Sequence, residues 1–124
     1  MRTVLVVDDE LDIAEAVKSI LEDEGYSVVV CANGREALQR LDSTRPDLAI
    51  VDIMMPVMNG FETIKAIRRH PELGKLPVLI MSAIDPSVRP AEFDSAGFLK
   101  KPFSLKELLA RVHTLAPPSP GEAA

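Results

Sequence analysis

Cysteine is almost absent. Cys31 stands alone in 124 residues, so no intrachain disulfide can form and nothing points to a disulfide-stabilised secreted scaffold. Basic charge is also in deficit. Fourteen Lys and Arg face nineteen Asp and Glu, a formal charge of −5, which argues against a DNA- or RNA-binding surface built from clustered cations. The nearest basic cluster, Arg68-Arg69-His70, reads as a solvated helix end. The first apolar run, Val4 to Val7, stops at Asp8, too short for a signal segment or a membrane span, so the cytoplasm is the expected compartment. There is no internal repeat.

What is present is ordinary globular composition, 47% hydrophobic and 27% charged residues, in a chain of one-domain length. Residues 1–116 read as the domain. The closing "PPSPGEAA", 117–124, has no periodicity and reads as a flexible tail or linker stump.

Short apolar runs alternate with amphipathic segments. The runs are Thr3–Val7, Ser27–Cys31, Leu48–Val51, Val78–Ser82 and, more weakly, Phe98–Lys101. The first four are nearly continuous in Val, Ile and Leu, the pattern of strands buried on both faces of a parallel sheet. Between them, Ile13, Val17, Ile20 and Leu21 share a helical face, as do Ala37, Leu38 and Leu41, and then Phe61, Ile64 and Ile67, with Asn59 placed as a cap. Ser104 and Glu107 form an S-x-x-E capping box ahead of the last helix. Repeated β-then-α units predict a doubly wound α/β fold with helices on both faces. Pro86 and Pro90 leave room only for a short or irregular fourth helix, starting near Pro90.

In such a sheet, ligands bind beyond the carboxyl ends of the strands. The runs end in Asp8-Asp9, Asp52, Ser82 and Lys101-Pro102, which places three carboxylates, a hydroxyl and an ammonium on one edge. Crowded carboxylates repel one another and tend to hold protons or recruit a cation; with oxygen ligands only, the natural choice is Mg²⁺. A carboxylate beside a metal and a lysine suits phosphoryl transfer, with Asp52 as the acceptor.

These segments resemble the receiver domain of bacterial two-component response regulators. "VLVVDDE" at 4–10, "VDIMMPVMNG" at 51–60, "VLIMSA" at 78–83 and "FLKKPF" at 98–103 are similar to its first strand with the acidic pair, its phosphorylation segment and its fourth and fifth strand ends. The resemblance covers about residues 2–115 and implies a flavodoxin-like five-stranded sheet of order 2-1-3-4-5. It further implies that Asp52 takes a phosphoryl group from a sensor histidine kinase or phosphotransfer protein. Asp9, Asp52 and the backbone carbonyl of Met54 would hold Mg²⁺ directly, and Asp8 would act through a water. Lys101 would pair with the phosphoryl oxygens and be joined to Pro102 by a cis peptide. Ser82 and Phe98 would be the switch residues. Met54 and Ile84, both apolar, would flank the line of hydrolytic water, so the phosphorylated state should be long-lived.

The function implied is a signalling switch that changes its protein-binding surface, without nucleic-acid contact or membrane insertion, and not an enzyme beyond its own aspartyl chemistry. A receiver cut from a hybrid kinase or multidomain regulator is the alternative. A small aspartyl-nucleophile phosphatase would carry a second Asp where this chain has Met54, and a flavodoxin-like electron carrier would carry a Gly- and hydroxyl-rich loop where it has Asp8-Asp9-Glu10. Read individually, Asp8 or Asp9 could simply cap the first helix, Glu10 could serve its N-terminus, and Ser82 could bond backbone.

Overall fold

The structure, a computed structural model, describes residues 2–85, 90, 91 and 96–118. Strands β1 (Thr3–Val7), β2 (Ser27–Cys31), β3 (Leu48–Asp52), β4 (Val78–Ser82) and β5 (Gly97–Lys100) form one parallel sheet in the order β2-β1-β3-β4-β5. Helices α1 (Leu11–Asp23), α2 (Gly34–Thr44), α3 (Gly60–Arg68) and α4 (Leu105–Leu115) alternate with them. The short helix expected near Pro90 falls largely outside the described residues, as does most of the expected tail. No helix among the described residues is long and apolar enough to cross a membrane.

The alternation of the strands divides the core into two layers. Val4 and Val6 of β1, with Leu48 and Ile50 of β3, pack against Ala14, Val17 and Leu21 of α1 and Leu108 and Val112 of α4. Leu5 and Val7, with Ala49 and Val51, turn to the other face and meet Ala37 and Leu41 of α2 and Ile64 and Ile67 of α3. Both faces are therefore apolar, which is why these strands read as unbroken runs. Each fully buried Val, Leu or Ile side chain contributes roughly 1.5–3 kcal/mol.

Capping fixes where the helices begin. Asn59 accepts from Glu62 N–H at 3.0 Å and Glu62 returns a bond from Asn59 N–H at 3.1 Å; Ser104 and Glu107 do the same at 3.1 and 3.2 Å. Asn33 caps α2 through Glu36 N–H at 2.9 Å. The helix α1 departs from expectation: its N-cap is Glu10, with no side-chain cap bond, so neither Asp8 nor Asp9 fills that role. At the other end of the domain, Tyr26 donates to the Ala116 carbonyl at 2.7 Å and Arg2 Nε to the Pro117 carbonyl at 2.7 Å, tying the residues just after α4 to the start of the sheet.

Candidate functional site

The order β2-β1-β3 means that the connections after β1 and β3 leave in opposite directions, opening a crevice at the carboxyl ends of those two strands. Asp8 is the first residue past β1 and is fully buried; Asp52 is the last of β3 and only 2% exposed. Asp8 is anchored by its own N–H, which donates to the Cys31 carbonyl at 3.1 Å, while its Oδ1 accepts from Glu10 N–H at 2.9 Å. Lys101 follows β5, held by its N–H to the Ser82 carbonyl at 2.8 Å. Its Nζ lies 3.0 Å from Asp8 Oδ2, 3.2 Å from Glu10 Oε1 and 3.5 Å from Asp52 Oδ2. One ammonium thus serves three carboxylates, two of them removed from water.

The helix α3 must start close behind Asp52 for this edge to close. Gly60 N–H donates to the Ile53 carbonyl at 3.0 Å, and a β-carbon at position 60 would collide with the Asp52 carbonyl and with Ile53. Only glycine permits that approach. Among the described residues the Asp52 carboxylate has one backbone donor, Met54 N–H, at a long 3.3 Å from Oδ1. Burial first, and the neighbouring Asp8 charge second, push its pKa up to about 6 against the opposing pull of Lys101 and the Met54 N–H. For Lys101, burial acts to lower the pKa, but the hydrogen bond to Asp8 and the charges of Asp52 and Asp8 more than offset it, and the value is raised.

Of the residues marked in the sequence, Asp8, Asp52 and Lys101 come together. Ser82 is fully buried at the end of β4, its Oγ accepting from Ile84 N–H at 3.4 Å. Phe98, half-buried on β5, packs with Ile84 against the layer that holds α2 and α3. Met54 is 65% exposed, and the Lys101-Pro102 peptide is cis.

Asp9 stands apart. It is exposed, as Glu10 is, but among the described residues the carboxylates with oxygens within 4.8 Å of one another are those of Asp8, Glu10 and Asp52. The bond from Glu10 N–H to Asp8 Oδ1 ties residues 8 and 10 together across residue 9. Glu10, read from the sequence as a residue for the start of α1, is also the N-cap there, and its side chain reaches Lys101 and joins the acidic group. An oxygen-only group of three carboxylates suits a hard divalent cation of the Mg²⁺ type, and the ammonium of Lys101 already marks the site as one that attracts positive charge.

Comparison with known proteins agrees with this geometry. Residues 4–113 match the family model of the response regulator receiver domain. The response regulator MprA of Mycolicibacterium vanbaalenii is 41% identical over 115 residues, covering 90% of this chain and 49% of MprA; the chain therefore spans about half the length of the curated relatives it matches. Among solved structures, the chemotaxis response regulator CheY4 of Vibrio cholerae superposes with a TM-score of 0.86 at 36% identity, over 93% of this chain and 98% of that one. The response regulator TrrA of Thermotoga maritima, in complex with Mg²⁺-BeF, gives 0.83 at 34% identity, over 93% and 99%.

Proposed function

This chain belongs to the response regulator receiver domain family, and from that premise we propose that it is a switch set by phosphorylation of Asp52. The phosphoryl donor is a histidine kinase or a phosphotransfer protein, and the output is a changed surface for a downstream protein. The observation that carries this reading is the buried Asp52 carboxylate facing Lys101 Nζ at 3.5 Å beside a second buried carboxylate, Asp8. Asp52 attacks phosphorus through a carboxylate oxygen, the bond from phosphorus to the donor nitrogen breaks, and an acyl phosphate results. Lys101, already held at the crevice, pairs with the new phosphoryl oxygens and in doing so loosens from Glu10 or Asp8. Mg²⁺, when held by Asp8, Asp52 and Glu10, supplies the positive charge that a transferring phosphoryl group requires. The movement of Lys101 reaches Ser82 through the bond that joins their backbones, and the Phe98 strand through Lys100.

A protein donor suits the rim of the site. Among the described residues the exposed large apolar side chains are Leu11 at the start of α1, Met54 and Val57 between β3 and α3, and Leu105 at the start of α4, all on the carboxyl edge around Asp52. That MprA is twice the aligned length favours a second reading, in which this domain controls a further domain of a longer regulator. Incubation of the purified chain with acetyl phosphate and Mg²⁺, followed by intact mass measurement, tests the proposal. One added phosphoryl mass on the wild type and none on Asp52→Asn is expected; addition to both would place the acceptor elsewhere.

A further inference from the structure

The strand β2 is the end of the sheet, with no strand beyond it among the described residues. Ser27 N–H donates to the Arg2 carbonyl at 2.9 Å and the Cys31 carbonyl accepts from Asp8 N–H at 3.1 Å, so residues 27 and 31 direct their backbone groups toward β1. Backbone direction alternates along a strand. Val28 and Val30 therefore present their N–H and C=O groups outward, on a run, "SVVVC", that carries none of the charge, proline or bulge that commonly blunts an edge. A cleft of about 410 Å³ lies over this edge, walled by Glu15 and Lys18 of α1 and by Glu36 and Arg40 of α2, with the 57% exposed Leu11 at its margin.

We propose that this edge pairs antiparallel with the β2 of a second copy of the chain, about a two-fold axis at Val29. On that axis Val28 faces Val30 of the partner and Val30 faces Val28 of the partner, and each pair exchanges two backbone bonds. The side chains that meet are β-branched on both sides, a favourable cross-strand combination. The charges select a copy over an unrelated peptide. A two-fold axis perpendicular to the sheet keeps α1 beside α1 and α2 beside α2, each pair antiparallel. Each helix carries one acid and one base toward the cleft, Glu15 with Lys18 and Glu36 with Arg40, so the same rotation sets acid opposite base on both walls. The cleft has no net charge with which to attract an acidic or basic segment.

The contact is small and should be weak, so it is tested over a concentration series by sedimentation velocity together with amide exchange followed residue by residue. Rising concentration should produce a dimer and slow exchange at Val28 and Val30 selectively. Val30→Pro removes an outward N–H and none from the β1 ladder, and should weaken the dimer at least tenfold. Should that variant fold poorly, Lys18→Glu sets acid against acid across the axis and should weaken association by about tenfold, with Glu15→Lys added to Lys18→Glu restoring it. A chain that stays monomeric, or a dimer indifferent to these changes, would overturn the proposal. Binding of an extended valine-rich peptide by a chain that does not self-associate would overturn it in favour of a strand donated by another protein.

Discussion

Replacing Asp52 by Asn should stabilise the metal-free protein at neutral pH, although it removes the residue on which the proposed switch depends. Asp52 is 2% exposed, its best-placed cation is 3.5 Å away and shared with Asp8 and Glu10, and its pKa is pushed from an ordinary 3.8 to about 6. A carboxylate whose pKa is higher in the folded chain than in the unfolded chain binds its proton more tightly when folded. The associated stability is fully present below pH 3.8 and is lost as pH rises through about 6. At about 1.4 kcal/mol per pH unit, the interval from 3.8 to about 6 is worth about 3 kcal/mol. Asn keeps the shape and removes the charge, but one of its atoms becomes a donor and forfeits a bond to Lys101 or Met54, a cost of about 1 kcal/mol.

The net expectation is a gain of about 2 kcal/mol at pH 7.5, or roughly 6–10 °C in Tm for a domain of this size. Urea and thermal unfolding in EDTA, from pH 4.5 to 8, measure it. The gap between variant and wild type should be small at pH 4.5 and open as pH rises. Millimolar Mg²⁺ should then raise the wild type more than the variant and narrow the gap, because a ligand that binds only the folded state stabilises it. A variant no more stable than wild type at pH 7.5, or a gap independent of pH, would refute the electrostatic account of the site.

Three further outcomes follow from other parts of the molecule. Val57 is β-branched, 82% exposed and held at φ 68°, in the left-handed region, so Val57→Gly should gain about 0.5–1 kcal/mol in urea unfolding after the entropy of glycine is subtracted; a loss would mean the loop is not strained there. Tyr26→Phe leaves the buried Ala116 carbonyl without its 2.7 Å donor and should cost about 1–2 kcal/mol, whereas an unchanged midpoint would show that the bond carries no net stability. Met54→Asn puts a polar group where the chain has none to orient water beside Asp52, and should speed loss of the phosphoryl group by roughly an order of magnitude; decay in the wild type as fast as in the variant would refute the expected long-lived state.

The two kinds of information in the chain were unequally legible. Continuous Val, Ile and Leu runs reveal β1 to β4 because helices cover both faces of the sheet, fully over β1, β3 and β4 and partly over β2, whose Val29 and Val30 are half-buried. The β5 run is harder to place. It begins at Gly97, a residue earlier than its apolar pattern, and its burial is partial. The caps at Asn59 and Ser104 are local and were readable, and Asn33, with Glu36 three residues on, offered the same local signal but was not read. At the site, residue types at strand ends were sufficient for Asp8, Asp52 and Lys101. Which of Asp9 and Glu10 joins them was not readable, because it depends on a turn closed by Asp8 and on an ammonium 91 positions further along the chain.

That ammonium gives the site its character. Asp8, Glu10 and Asp52 with Lys101 leave an excess of two negative charges, three carboxylates less one ammonium, in a crevice whose inner walls exclude water. No arrangement of one lysine satisfies all three, and the distances of 3.0, 3.2 and 3.5 Å show the compromise, with Asp52 served least. A divalent cation brings the count to zero, and a phosphoryl group on Asp52 then adds about one negative charge and three strong acceptors. The lysine must redistribute toward whichever oxygens carry the new charge. Since Lys101 is bonded through its backbone to Ser82, a change in its position is felt at the end of β4 as well as in the crevice. If this is the route by which the switch is read, Lys101→Met should still accept a phosphoryl group when driven by excess acetyl phosphate, yet show smaller backbone chemical-shift changes around Ser82 and Phe98 than wild type. Equal changes in the two proteins would mean that the signal leaves Asp52 without passing through the lysine.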